Sequence, residues 1–262
     1  MARLEGVFST VSSVSDRRLA MCTLSFIPTN DGYVVAMNRD EKLSRPAASA
    51  PVVQEIDGVQ AMYPLDVEGG TWIAASASGT TWALLNRNSK LDKRARSRGE
   101  IILSALRSND VSSEVSELDS QLLNQVLPFR LIRFSLVSHS VIEWVWDGHR
   151  CTSIVHPWES NHWFSSGESD ELASAIRGKT VLGFQGGAGR ESLEWLRELH
   201  RSHEPERGAF SICVHRADAR TVSYAEISVS NERVSMSYVD GSPCESTIVS
   251  RLEIPRYVTS NL

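Results

Sequence analysis

Three short stretches hold the side chains best suited to chemistry. The first is Cys22 in "MCTLSF", directly after an internal methionine, Met21. A thiol attacks only as its thiolate, so it needs a base or a positive neighbour. Two readings stand. Cys22 is an ordinary buried strand residue, cysteine being among the residue types most often buried. Or Met21 is the working start, the initiator methionine is removed, and Cys22 opens the mature chain. Its own α-amine, with a pKa of about 7.7–8.0, would then accept the thiol proton, as in an N-terminal nucleophile. The second stretch is "NRDE": Asn38, Arg39, Asp40 and Glu41 close the apolar run "YVVAM". An arginine beside a thiol lowers its pKa and a carboxylate orients an amine, although a solvated turn uses the same residue types. The third is Asn86, which ends "TTWALLN". Its amide could donate to a developing oxyanion or simply terminate a strand in a turn.

These residues need elements to bring them together. "CTLSFIP" at 22–28 and "YVVAMN" at 33–38 read as strands joined by the turn signal "TNDG", so they form a hairpin. With the turn at 29–32, residue 22 falls opposite 39, which puts the polar run beside the thiol. "KLSRPAASAPVVQ" at 42–54, with two prolines, reads as a loop. Residues 71–76 and 80–86 read as a second hairpin turning at "ASG". Apolar spacing predicts helices over 97–107 and 117–127. Strands follow at 129–138 and 141–147, then helices at 169–178 and 189–200 with the loop "QGGAG" between them. "AFSICVHR", "TVSYAEISVS" and "RVSMSYVD" close the chain as a meander of three strands. Strands and helices are segregated, which fits an α+β fold of antiparallel sheets covered by helices.

The stretches "MCTLSFIP", "MNRDE" and "GGTWIAASASG…ALLN" resemble the NRDE family, also called the transport and Golgi organisation protein 2 family, over residues 21–86. That family in turn resembles N-terminal nucleophile hydrolases of the choloylglycine hydrolase and penicillin V acylase type. The resemblance implies a four-layer αββα sandwich of antiparallel sheets. It implies that Asn38 or Arg39 stands near an arginine position and Asp40 or Glu41 near an aspartate, with Asn86 at an oxyanion position. It also places "HWFSSG", with Ser165 and Ser166, where those hydrolases keep a second asparagine. The implied activity is that of an N-terminal-cysteine hydrolase or acyltransferase acting on an amide carbon–nitrogen bond. The alternative is a non-catalytic binding or trafficking protein for haem or a lipid-like ligand. Trp72 and Trp82 lie on the hairpin near this site and would wall an apolar substrate pocket together with Ser166.

A rival site lies in the last third. His200 and His203 sit near a predicted helix end, and Cys213 and His215 face one side of a predicted strand. Two histidines, a cysteine and a further histidine match zinc by ligand type, and the same groups suit haem iron. The spacing belongs to no specific zinc motif, and surface histidines around a core cysteine read equally well. Apart from this alternative set, the sequence implies no metal and no cofactor.

The bulk numbers set the frame. The chain has 262 residues, 41% hydrophobic and 23% charged, which is the balance of a globular protein. A net charge of -5 argues against nucleic acid as a partner, because phosphate binding needs a basic face. The basic run at 90–98 reads as a solvated loop face. Four cysteines without a CxxC read as reduced thiols in a cytoplasmic protein. No apolar run approaches the ~20 residues of a membrane span. Residues 1–20 read as a disordered extension or a start placed too early, ahead of one domain at 21–262. The expected partner is a small-molecule amide or lipid-like ligand, with haem as a further candidate.

Overall fold

A computed structural model of the chain describes residues 22–88, 96–107, 120–167, 169–246 and 249–257. The first hairpin is β1 (Cys22–Thr29) and β2 (Gly32–Lys42), joined by Asn30 and Asp31 alone. A two-residue loop fixes the register, and Cys22 pairs with Arg39. The run 42–54, expected as a loop, instead contains most of β3 (Ser49–Ile56), which pairs with β4 (Val59–Leu65). Pro51 is tolerated because β3 is an edge strand and its register shifts between Ser49 and Val52. The second hairpin is β5 (Ile73–Ser76) and β6 (Thr80–Asn86). Helix α1 spans Glu100–Arg107 and α2 Ser120–Leu123; the helix expected over 117–127 falls partly outside the described residues.

Strands β7 (Phe129–Ser135), β8 (Ser140–Trp146), β9 (Cys151–His156) and β10 (Asn161–Ser165) precede helices α3 (Asp170–Gly183) and α4 (Leu193–Arg201). The chain ends with β11 (Ala219–Val229), β12 (Arg233–Asp240) and β13 (Val249–Pro255). Strands β4, β9, β10 and β13 lie where the sequence pattern assigns none. The last three are edge strands, so a clean hydrophobic alternation is not demanded of them, whereas β4 lies inside its sheet between β3 and β5. "AFSICVHR" is not a strand. Its apolar residues Ile212 and Val214 are buried, but the backbone nitrogens around them bond to Ser202 O, Thr221 Oγ1 and Gly208 O rather than to a ladder.

Two antiparallel sheets result, in the orders β10-β1-β2-β11-β12-β13 and β3-β4-β5-β6-β7-β8-β9. The first is built from both ends of the described chain, with β10 from its middle at one edge. Strands alternate, so each sheet has two faces to cover. Leu24, Phe26 and Met37 of one sheet pack against Ile73, Leu85 and Phe134 of the other. The outer face of the second sheet is covered by Ile101, Ile102 and Leu106 of α1. The outer face of the first is covered by Ala173 and Val181 of α3 and Trp195, Leu196 and Leu199 of α4. Helix, sheet, sheet, helix is the αββα sandwich. Tyr33 ties the two sheets together: its hydroxyl lies 2.9 Å from Thr81 Oγ1 and 3.1 Å from the carbonyls of Gly79 and Phe134. Among the described residues no helix is long and apolar enough to cross a membrane.

Candidate functional site

Strand β2 is buried on both faces, so alternation alone divides "NRDE". Arg39 and Glu41 point between the sheets, where Cys22 also lies, and Asn38 and Asp40 point to the helix side. Asn38 donates to the carbonyls of His200 and Ile212, both at 2.9 Å, and its Oδ1 sits 3.1 Å from His200 Nδ1. It is therefore held away from the thiol and bolts β2 to α4 and the segment after it.

A cavity of about 350 Å³ opens at the end of the first hairpin. Cys22, Arg39, Glu41, Trp72 and Asn86 stand in its wall. Arg39 donates to Asp66 at 2.6 Å and to Glu41 at 3.4 Å, and its guanidinium lies 4.3 Å over the Trp72 ring. Arg45 joins the same two carboxylates at 3.0 and 3.2 Å. Two cations and two carboxylates thus form a partly buried network that holds the wall rigid. The opposite side comes from the start of α1. There the backbones of Gly70 and Gly99 meet so closely that a Cβ on Gly70 would lie 2.7 Å from the Gly99 carbonyl carbon. That approach brings Arg96 and Arg98 to the cavity. These two end the basic run at 90–98, whose residues up to 95 lie outside the described ones. They line a site instead of a plain solvated face.

The wall is charged rather than apolar. Trp72 takes part in it, with an Nε1 that has no hydrogen-bond partner among the described residues. Trp82 does not. It faces outward, stacked on Trp144 at 5.6 Å beneath α1.

Cys22 is 5% exposed. Its backbone nitrogen donates to Ser165 Oγ at 3.0 Å, because β10 pairs with β1 and sets Ser165 opposite Cys22. Ser166, the expected residue, instead uses its backbone N–H on Asp170 Oδ1 at 2.7 Å, at the start of α3. Burial, aided by the Asp40 carboxylate, pushes the thiol up to about 12. Asp40 itself is fully buried, and burial raises it to about 7 against the opposing pull of Arg177. Thr221 Oγ1 donates to its Oδ1 at 2.5 Å, and Arg177 lies 3.7 Å from its Oδ2. Arg177 is 0% exposed and also donates to Cys22 O at 3.4 Å, Thr23 Oγ1 at 3.2 Å and Ala209 O at 3.2 Å. Sequence reasoning missed this arginine. Its signal was present: Arg177 falls on the same stripe of α3 as the buried Ala173, Thr180 and Val181, an arginine at a core position of an amphipathic helix. Asp66 and Arg45 carried no such signal, since their meeting with Arg39 depends on the second sheet.

The rival set is regrouped. His200 is fully buried, 2.9 Å from Ser25 Oγ, and burial lowers it to about 3. It is not with the others. His203, Cys213 and His215 do converge, and Cys244 takes the fourth place.

Two stacked antiparallel sheets between helices, with a cysteine opening the first strand at a charged cavity, define an αββα sandwich protein. The chain belongs to the Transport and Golgi organisation 2 family, whose model matches residues 21–171, more than half of its length. No curated protein matches it in sequence. Among solved structures, it is similar to a mutant conjugated bile acid hydrolase from Clostridium perfringens, with 9% identity, 89% of this chain and 92% of that chain covered, and a TM-score of 0.49. A second variant of that hydrolase gives 10% identity, coverage of 92% and 99%, and a TM-score of 0.46. Penicillin V acylase from Agrobacterium tumefaciens gives 8%, 84% and 86%, and 0.44.

Proposed function

We propose that the chain, when it begins at Cys22, is an N-terminal-cysteine hydrolase or acyltransferase acting on an amide carbon–nitrogen bond. The observation that carries this reading is the placement of Cys22 as the first residue of β1, in the wall of the cavity, with its main-chain nitrogen 3.0 Å from Ser165 Oγ. In a chain starting there, that nitrogen is an amine, and Ser165 orients it. The amine takes the thiol proton, and the resulting ammonium counters the burial that holds the thiol up. Sγ then attacks the amide carbonyl carbon, and Asn86 donates to the oxyanion. The ammonium proton passes to the departing amine as the C–N bond breaks, leaving a thioester on Cys22. Water, deprotonated by the amine, or an acceptor amine releases the acyl group. Arg39 and its carboxylate partners orient the polar end of the substrate, and Asp40, poised near neutrality, adjusts the charge behind the thiol.

One observation favours a second reading, a carrier of haem or a lipid-like ligand in the same cavity. With residue 21 attached, Cys22 has no amine and its thiol stays protonated, near 12. The test compares the full chain, a chain beginning at Cys22, and Cys22→Ser, each assayed against a panel of N-acyl amides and titrated with haem. The amidase reading expects turnover and a trapped thioester only in the chain that begins at Cys22. Binding of haem that survives Cys22→Ser, with no turnover in any form, supports the carrier.

A further inference from the structure

The segment from Ser202 to Asp218 joins α4 to β11 without a helix or strand of its own. Loops beyond about 12–15 residues that lack secondary structure are uncommon and usually functional. Something must hold this one, and its side chains suggest what. Cys213 Sγ lies 3.5 Å from Cys244 Sγ and 3.7 Å from His215 Nε2, and His215 Nε2 lies 3.1 Å from Cys244 Sγ. The ring of His203 stands across that of His215 at 5.0 Å between centroids. One ligand atom from each of the four lies within 4.8 Å of every other. His203 Nε2 is buried with no hydrogen-bond partner among the described residues.

We propose that His203, Cys213, His215 and Cys244 form a binding site for a zinc-class divalent cation, separate from the cavity at Cys22. A tetrahedral Zn²⁺ with Zn–S of about 2.3 Å and Zn–N of about 2.0–2.1 Å spaces its ligand atoms about 3.3–3.8 Å apart. Of the three separations, 3.5 and 3.7 Å fall in that range and 3.1 Å lies just below it. Binding releases the two thiol protons to solvent, and two thiolates with two neutral imidazoles then neutralise the dication. On the far side of the His215 ring, Nδ1 lies 3.8 Å from Glu245 Oε1 and 3.2 Å from an Arg207 nitrogen. In this geometry Arg207 donates to Nδ1; for a metal-bound His215 to carry its proton there, Arg207 must release Nδ1 and Glu245 close from 3.8 Å to accept it. The ion would cross-link two irregular segments, 202–218 and 241–246. It would also fix Val214, whose N–H bonds Thr221 Oγ1 at 2.8 Å, the hydroxyl that supports Asp40.

The first experiment adds Co²⁺ to the reduced full-length protein and reads the visible spectrum, with metal analysis of protein grown in zinc-supplemented medium. The proposal expects one metal per chain, a thiolate-to-cobalt charge-transfer band and tetrahedral d–d bands, bleached by Zn²⁺. Cys244→Ser, on the outer segment, should abolish the charge-transfer intensity or halve it and weaken affinity at least tenfold. His203→Ala is a second variant at a half-buried position, for use should Cys244→Ser not fold. Failure of reduced wild-type protein to take up cobalt overturns the site, as does an unchanged spectrum in a folded Cys244→Ser protein. Isolation of the protein with Cys213 and Cys244 joined in a disulfide that no zinc supplement prevents also overturns it. None of these readouts depends on turnover at Cys22.

Discussion

Replacing Asp40 by asparagine tests the electrostatics of the site most sharply, because two physical arguments give opposite signs. Removing one partner of a buried ion pair normally costs about 3–5 kcal/mol, as the other charge is stranded. Asp40 departs from that rule. Its carboxyl is raised from 3.8 to about 7, because burial outweighs the attraction of Arg177 at 3.7 Å. The native state therefore holds a proton that the unfolded chain has lost between about pH 4 and about pH 7, and stability falls as pH rises through that window. The gap between 3.8 and about 7, at about 1.4 kcal/mol per pH unit, amounts to about 4 kcal/mol as an upper bound. Asparagine mimics the protonated acid and can still accept from Thr221. Arg177 is not left without partners, since Cys22 O, Thr23 Oγ1 and Ala209 O accept from its two terminal nitrogens, although its buried Nε has no partner among the described residues.

The expected result is near-equal stability of wild type and Asp40→Asn at about pH 4. The variant gains up to about 4 kcal/mol over wild type by about pH 8. Denaturant unfolding followed by tryptophan fluorescence measures this as a difference between two curves. The difference matters because His162 and His200, lowered by burial to about 4 and about 3, act oppositely. Each stays neutral in the native state, so each destabilises the fold as pH drops below its ordinary value of about 6.5. That contribution is common to both proteins and cancels. A variant that is less stable than wild type at about pH 8 by several kcal/mol, and closer to it at acid pH, refutes the reasoning and makes Arg177–Asp40 a conventional ion pair.

Three further outcomes are expected. Gly32→Ala would put a Cβ 1.8 Å from the Val229 carbonyl oxygen, so β2 and β11 must separate; the loss should reach about 3 kcal/mol or more, visible as insoluble expression or a lowered denaturant midpoint. Asn38→Ala strips the buried carbonyls of His200 and Ile212 and the His200 imidazole of a shared partner; a loss of about 3 kcal/mol follows, with ligand affinity at the cavity unchanged once the protein is folded. Tyr33→Phe removes the hydroxyl that bridges the two sheets and should cost about 1–2 kcal/mol, measured by the same unfolding titration.

Much of the site can be read in the sequence where local chemistry sets geometry. The Asn30–Asp31 turn joins β1 to β2 with two residues and so dictates that Cys22 meets Arg39. The period-2 pattern of "YVVAMNRDEK" also separates Arg39 and Glu41 from Asn38 and Asp40, a division the pattern contains although the residue types suggest one cluster. Elsewhere local signals mislead. Pro51 speaks for a loop but sits in a bulge at a sheet edge, and "AFSICVHR" has strand-like alternation but no neighbouring strand to complete it.

Turns and hydrophobic periodicity, which act over a few residues, settle the segregation of strands from helices and the cysteine-led hairpin; the four-layer αββα order came only from the family resemblance. Which polar side chains surround that hairpin depends on the packing of distant elements. Arg177 arrives from α3, Asp66 from the turn after β4 and Ser165 from β10. The same holds for the exchange of His200 for Cys244 in the histidine–cysteine cluster. Such meetings join residues more than 25 positions apart, and no local propensity encodes them. They follow from burying both faces of two sheets at once, which fixes every side chain that points between the layers.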